Sequence, residues 1–485
     1  MTDDLARLDA TAQAKLVRTG EVSPTELVDA AISRIEAVNG ELNAVIHPLF
    51  DEARELAAGE LPDGPFKGVP LLMKDLGPAF AGHPMHLGMR FLKEAGFRSP
   101  LDTYLAQRFR DAGFVTVGRT NTPELGILPT TEPDAYGPTH NPWDLFRSPA
   151  GSSGGSAAAV ASGMVAVAHA NDGGGSIRLP ASACGLVGLK PTRQRVTMGP
   201  LVGDAMSGLS VDLAVSRTVR DTAAVLEAVE GPAPGDPYVA PAPARPYTEE
   251  VGADPGTLRV GLVTKPFLDV EPEPVVAEAA REAAELLESL GHNVEESRPE
   301  GLDDIDILDT FLTRWMSGQA ATLDELGTLM GRPVGPDDVE PLTWALAEEG
   351  WRRSGGQYLE AVSQHQLVTR MVAGWHESGF DLMLTPTMGE LPTPLGAFDD
   401  SGPEPIAAIH RGVLTAAFTA LFNATGQPAI SLPLHWSEEG LPVGVQLAAP
   451  YGREDLLIRI ASQLEEARPW ADRAPPVFAA AESTV

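Results

Sequence analysis

An α/β layered fold is what this sequence predicts, and three observations predict it. A β-rich run at 69–73, a helix-like segment at 103–112 and a second β-rich run at 115–118 follow one another in the order strand, helix, strand. The pattern resumes beyond residue 257, with strand-like runs at 258–263, 382–385, 429–434 and 443–448 and a helix over about 275–290. The composition, 43% apolar and 21% charged over 485 residues, lets the chain bury a large core and excludes disorder for the bulk of it.

Residues 5–38 read as two helices. Leu5, Leu8, Ala12 and Leu16 share one face, and Ser23-Pro24-Thr25-Glu26 then has the form of an N-cap with proline at the first helical position. Leu27, Ala31 and Ile35 continue an apolar stripe at helical spacing. The small apolar stretch 157–170, interrupted by Ser162 and Gly163, is too short to span a bilayer and predicts a buried helix. Between 231 and 257 lie seven prolines, too irregular for a helix or a central strand. Strand-like runs flank that segment, so it is expected to be a surface loop within one α/β domain covering 1–485. The expected parts are N-terminal helices at about 5–60, a core at about 65–230, the proline-rich loop at 231–257 and a C-terminal α/β part at 258–485.

Charge and cysteine content narrow the function classes. Lys plus Arg number 35 against 67 Asp plus Glu, a net charge of −32 that repels phosphate backbones, and no basic patch offsets it. Nucleic-acid binding is therefore not expected. Cys184 is the sole cysteine, so neither an internal disulfide nor a four-cysteine zinc site can form. Residues 1–20 hold no continuous apolar run, which predicts neither signal peptide nor membrane anchor and makes the expected location cytoplasmic. His83 and His86 form an H-x-x-H pair with no third ligand at metal spacing, and a loop pair without zinc is expected.

The centre of the chain carries the chemical signal. Ser148-Pro149-Ala150-Gly151-Ser152-Ser153-Gly154-Gly155-Ser156 precedes the small-residue stretch, and Asn171-Asp172-Gly173-Gly174-Gly175-Ser176-Ile177-Arg178 follows it. Glycines let backbone amides converge on one cavity, as an oxyanion hole requires. No phosphate-cradle string such as G-x-x-x-x-G-K-[ST] is present. Gly151-Ser152-Ser153-Gly154-Gly155 does match the G-x-S-x-G nucleophile elbow, which would make Ser153 the nucleophile of an α/β-hydrolase esterase. An elbow needs a hydrophobic strand before it, whereas 141–147 carries a proline and two charges. A base other than histidine is available in Lys74, which ends the apolar run 69–73. Burial there would favour a neutral amine able to take a proton from serine. The alternative is a surface lysine paired with Asp75.

These residues resemble the amidase signature hydrolases. The resemblance runs through Gly68-Val69-Pro70-Leu71-Leu72-Met73-Lys74-Asp75, Gly118-Arg119-Thr120-Asn121-Thr122-Pro123-Glu124 and the two glycine-rich turns. It continues through Cys184-Gly185-Leu186-Val187-Gly188-Leu189-Lys190-Pro191-Thr192 and Phe422-Asn423-Ala424-Thr425-Gly426-Gln427-Pro428-Ala429. It implies a mixed twisted central sheet surrounded by helices, no cofactor and no metal. It also implies amide hydrolysis by a Ser-cisSer-Lys triad through an acyl-enzyme. Matched position by position, Ser176 is the nucleophile, Ser152 the bridging serine and Lys74 the base, with the backbone amides of Gly173, Gly174, Gly175 and Ser176 as the oxyanion hole. The chain departs from the commonest pattern at Gly173, where the family often has threonine.

Within the family the layout is similar to the nylon-oligomer-degrading 6-aminohexanoate cyclic-dimer hydrolases, through Val167-Ala168-His169-Ala170-Asn171-Asp172 and Tyr451-Gly452-Arg453-Glu454-Asp455. Those enzymes have a cysteine in the stretch matching 303–379, which here has none, so linear aliphatic amides or 6-aminohexanoate oligomers are the expected substrates. The resemblance implies a small-molecule amide substrate, no nucleic-acid or membrane partner, and a homodimer as the assembly to look for. The alternative readings on the same fold are a glutaminase subunit of a tRNA-dependent amidotransferase, a carbamate- or ester-cleaving hydrolase and a non-catalytic binding protein. Trp315, Trp344 and Asn121 are the candidate substrate-binding residues, while Trp351 and Trp375 are expected in the core. Asp172 and Arg178 are expected to brace the loop between them.

Overall fold

The computed structural model describes residues 2–479. Strands β1 (Val45–Pro48), β2 (Pro70–Lys74), β3 (Val115–Thr120), β4 (Val167–Asp172), β5 (Val187–Lys190), β6 (Val211–Ser216), β7 (Arg259–Leu262), β8 (Asn293–Glu296), β9 (Leu382–Pro386), β10 (Ala429–Trp436) and β11 (Pro442–Ala448) build the sheet. Their order is β1-β3-β2-β4-β6-β5-β10-β11-β9-β7-β8. β2 is parallel to β3 and β4, and β7 is parallel to β8 and β9. The other neighbours are antiparallel, so the sheet is mixed as expected. Every residue of β2, β3, β4 and β6 is buried. A strand covered on both faces has no polar side to alternate with, which is why β2 reads as a continuous apolar run up to Lys74.

The sheet's side chains, among them Leu71, Val117, Val167 and Val445, join Ile32, Val160, Leu226 and Ile460 of the covering helices in one core. A second core lies apart from it. There Leu312, Trp315, Leu323 and Leu326 of the helix Ile307–Met330 meet Leu342 and Leu346 of Pro341–Arg352. The same cluster includes Leu125, Ile127 and Leu128, so the variable region docks on the loop that follows β3.

Two expectations need correction. The stretch 157–170 is not one helix: the helix Gly154–Ala161 stops at Ser162, Gly163 takes a left-handed φ of +79°, and the chain then enters β4. Alanines alone would tolerate either state, and pairing of this segment with β2 on one side and β6 on the other decides for strand. The N-terminal region holds three helices, Thr2–Arg7, Ala10–Thr19 and Pro24–Leu42, because Asp9 caps the second by accepting from the Ala12 amide at 2.9 Å. The predicted cap at Ser23 is present. Its hydroxyl accepts from the Glu26 amide while the Glu26 carboxylate accepts from the Ser23 amide, a reciprocal capping box. The proline-rich segment is irregular apart from the short turn Tyr247–Glu250, and strands from both sides of it join the same sheet.

No helix among the described residues is long and apolar enough to cross a membrane. Because β2 and β4 are parallel, their last residues, Lys74 and Asp172, lie at one edge of the sheet. That edge, outside the carboxyl ends of parallel strands, is where α/β sheets place ligands.

Candidate active site

Lys74 ends β2 with its side chain fully buried. Its Nζ lies 2.7 Å from Ser152 Oγ, 3.0 Å from Ser153 Oγ and 2.6 Å from Asn171 Oδ1. Asp75 turns away to Arg119, 3.2 Å distant, so the lysine is not paired with its neighbour. Burial lowers the Lys74 ammonium to about 7, the opposing attraction of Asp212 and Asp172 being too weak to restore its ordinary range.

Ser152 follows a cis peptide bond from Gly151. Gly151 is pressed against the backbone of Thr130, a fit that any side chain would obstruct. Ser153, the elbow candidate, is fully buried. It donates to the Asn171 carbonyl at 3.2 Å, and turns rather than a strand lead into it. Its environment is that of a brace for Lys74.

The loop 173–176 is held from three sides. Arg178 donates to both carboxylate oxygens of Asp172 at 2.9 Å, and Asp172 also accepts the Ile177 amide at 3.2 Å. Asn423 and Gln446 complete the buried network around that pair. Burial alone would raise the Asp172 carboxyl, but Arg178 and Asn423 outweigh it and bring it to about 2. Thr419 Oγ1 donates to the Gly174 carbonyl at 2.6 Å. A trans peptide directs its N–H opposite to its carbonyl, so this bond also sets the direction of the Gly175 amide.

Gly175 has a φ of +144°, and a Cβ there would clash with Thr419 Oγ1 and lie 2.8 Å from Leu179. Gly175→Ala should therefore cost about 1–3 kcal/mol of stability through overpacking. It should also lower kcat/KM by about 10²-fold if the loop's amides bind charge in the transition state. Thermal melting and steady-state kinetics on an anilide check both, and wild-type kinetics in the variant would remove the loop from the chemistry.

Two chambers share Ser176. A narrow one of about 100 Å³ is walled by apolar residues including Ile307, Leu308, Phe311 and Val413. A wide one of about 790 Å³ is bordered by Ser152, Asn171, Asp212, Arg314 and Glu325. Trp315 borders both, and a Cβ on Gly173 would lie 3.1 Å from its ring. Phe311 covers Gly174 in the same way at 3.3 Å. The glycine at 173 thus makes room for the tryptophan that a threonine would crowd.

The other candidates lie elsewhere. Trp344 borders neither chamber and packs edge to face on Trp351 with ring centroids 5.4 Å apart, and Trp351, expected in the core, is instead exposed on the surface of Pro341–Arg352. Asn121 is buried and donates to the Gly137 carbonyl and Thr139 Oγ1, both at 3.0 Å, bracing a loop without reaching a chamber. Glu124 accepts from the Glu340 amide at 2.7 Å at the start of Pro341–Arg352, joining the loop after β3 to the variable region. His83 pairs with Glu52 at 2.8 Å and His86 with the Tyr136 hydroxyl. Cys184 is buried, its thiol pushed up by desolvation. Sequence reasoning missed Ser153 and Asn171 as partners of Lys74. The signal for Asn171 was its place at the end of a second mostly apolar segment, 164–170, broken only by His169, as Lys74 ends the first.

The fold and this edge define an amide-hydrolysing enzyme: a family model described as Amidase matches residues 26–458, and the chain belongs to that family. More particularly, it is 46% identical over 480 residues to the 6-aminohexanoate-cyclic-dimer hydrolases of Pseudomonas sp. (strain NK87) and Paenarthrobacter ureafaciens, covering 97% of this chain and of each relative. A solved structure of 6-aminohexanoate cyclic dimer hydrolase complexed with substrate superposes with a TM-score of 0.94 at 45% identity, covering 98% of this chain and 99% of that one. A bacterial aryl acylamidase of the amidase signature family gives 0.87 at 27% identity, covering 96% and 97%.

Proposed function

We propose that this enzyme hydrolyses linear aliphatic amides, 6-aminohexanoate oligomers among them, by a relay from Ser176 through Ser152 to Lys74. The observation that carries the reading is the hydrogen-bond accounting at Lys74. Asn171 Oδ1 can only accept, and Ser153 has its own proton committed to the Asn171 carbonyl, so it accepts as well. A neutral lysine spends its two N–H bonds on those acceptors. Its lone pair is left for the Ser152 hydroxyl at 2.7 Å.

Ser176 Oγ attacks the carbonyl carbon, its proton passing to Ser152 as the Ser152 proton passes to Lys74. The amides of the 173–176 loop receive the oxyanion. Collapse breaks the C–N bond, the leaving nitrogen takes the Ser152 proton, and the Lys74 ammonium restores Ser152. Water repeats the cycle on the ester. The aliphatic preference rests on the apolar chamber and on the substrate named for the relatives.

A fluorophosphonate probe followed by peptide mapping tests the reading. Label on Ser176 is expected. Label on Ser153 would transfer the role to the elbow, and label on neither would leave a binding protein on this fold. Turnover of glutamine with none of aliphatic amides would replace the substrate class.

A further inference from the structure

Resting on the relay just proposed, the two chambers can be assigned to the two halves of the substrate. When the tetrahedral adduct collapses, the leaving nitrogen must lie within hydrogen-bond reach of Ser152 Oγ to receive its proton. Ser152 borders the wide chamber and not the narrow one, whereas Ser176 borders both. The amine half therefore leaves through the wide chamber, and the acyl half, bonded to Ser176, occupies the narrow one.

Their linings differ in charge. The narrow chamber is bordered by no ionisable side chain: Ile307, Leu308, Phe311, Ile409, Val413 and Leu421 are representative of its wall. An ammonium or carboxylate seated there would lose its hydration with nothing to replace it. The wide chamber is bordered by the carboxylates Asp204, Asp212 and Glu325 against the single guanidinium of Arg314. Asp212 lends one oxygen to His169 at 3.0 Å, and Arg314 is engaged with His365 and the Ser207 carbonyl. Arg193 stands behind this lining and opposes Asp204 as well, so with Lys74 neutral three carboxylates face two guanidiniums and a small surplus of negative charge is left for the amine.

We propose that the narrow chamber is an acyl site for an uncharged chain and that the wide chamber takes a neutral or cationic amine, so that preferred substrates carry no charge on the acyl half and no carboxylate on the amine half. Longer 6-aminohexanoate oligomers, cut at an inner bond, keep their charged ends away from the scissile amide, whereas the free-ended linear dimer is disfavoured at both ends, by its ammonium on the acyl side and its carboxylate on the amine side. Blocking its ends removes both penalties.

Two substrate series on the wild-type enzyme test this. Among hexanoyl, 6-aminohexanoyl and 5-carboxypentanoyl p-nitroanilides, the hexanoyl compound should lead in kcat/KM by about tenfold or more. With hexanoyl held constant, the amide of 1,6-diaminohexane should exceed that of 6-aminohexanoate by about threefold at low ionic strength, the gap closing with salt. Leu308→Asp, at a half-buried wall position, should shift the 6-aminohexanoyl to hexanoyl ratio upward by about tenfold, and it should leave the ratio within the amine series unchanged even where both hexanoyl amides slow. Equal rates across the acyl series would overturn the assignment, as would a Leu308→Asp effect seen in the ratio within the amine series and not in the acyl series, which would mean that the chambers are reversed. If no compound turned over and no fluorophosphonate reached Ser176, the relay itself would fall and the assignment with it.

Discussion

Ser176→Ala should lower kcat/KM on an aliphatic anilide by on the order of 10⁴-fold or more while leaving the fold intact. The substitution deletes one oxygen at the junction of the two chambers. None of the bonds that brace its loop uses that oxygen: they run from Arg178 and the Ile177 amide to Asp172, and from Thr419 to the Gly174 carbonyl. Unfolding free energy should consequently change by less than about 1 kcal/mol. Ser153→Ala is the matched control. It removes one acceptor from Lys74 and should cost about tenfold, since the lysine keeps Ser152 and Asn171. More than about a tenth of wild-type activity in Ser176→Ala, or a larger loss in Ser153→Ala, would reverse the roles of the two serines.

How far the site was legible depends on what each residue needed from the rest of the fold. Lys74 stood out because a lone cation ends an uninterrupted apolar run, which only a strand buried on both faces tolerates. Asn171 did not, because 157–170 reads as one small-residue helix until β2 and β6 claim its second half as a strand. Read as parallel strands, 70–74 and 167–172 would have brought Lys74 and Asn171 to one edge from pattern alone. Trp315 and Trp344 were indistinguishable in sequence, both lying in helices of the variable region. Which of them reaches the chambers is set by how Ile307–Met330 docks on Gly173 and Gly174, a contact between segments about 140 residues apart in sequence. Asn121 has the polarity of a ligand-binding residue, but its side-chain nitrogen is spent on Gly137 and Thr139.

Lys74→Met should lower activity by about 10²–10⁴-fold and, more diagnostically, abolish the acid limb of the pH profile. The sign follows from the direction of the shift. Burial holds the Lys74 ammonium down to about 7, so the amine is neutral and able to accept a proton above that pH and protonated below it. Wild-type kcat/KM should thus fall tenfold per pH unit below about 6 and level off above about 8. Methionine keeps the length of the side chain and removes the titrating nitrogen. The acceptors it strands, Asn171 Oδ1 and Ser153 Oγ, should cost about 1–3 kcal/mol, which circular dichroism and thermal melting would register without loss of the fold. Asn171→Asp separates a base from a mere structural brace. It would place a carboxylate where Oδ1 now lies, 2.6 Å from Nζ, favouring the protonated lysine and moving the acid limb to higher pH. A purely structural lysine would show lower rates in both variants with the wild-type midpoint unchanged, and that result would exclude Lys74 as the base.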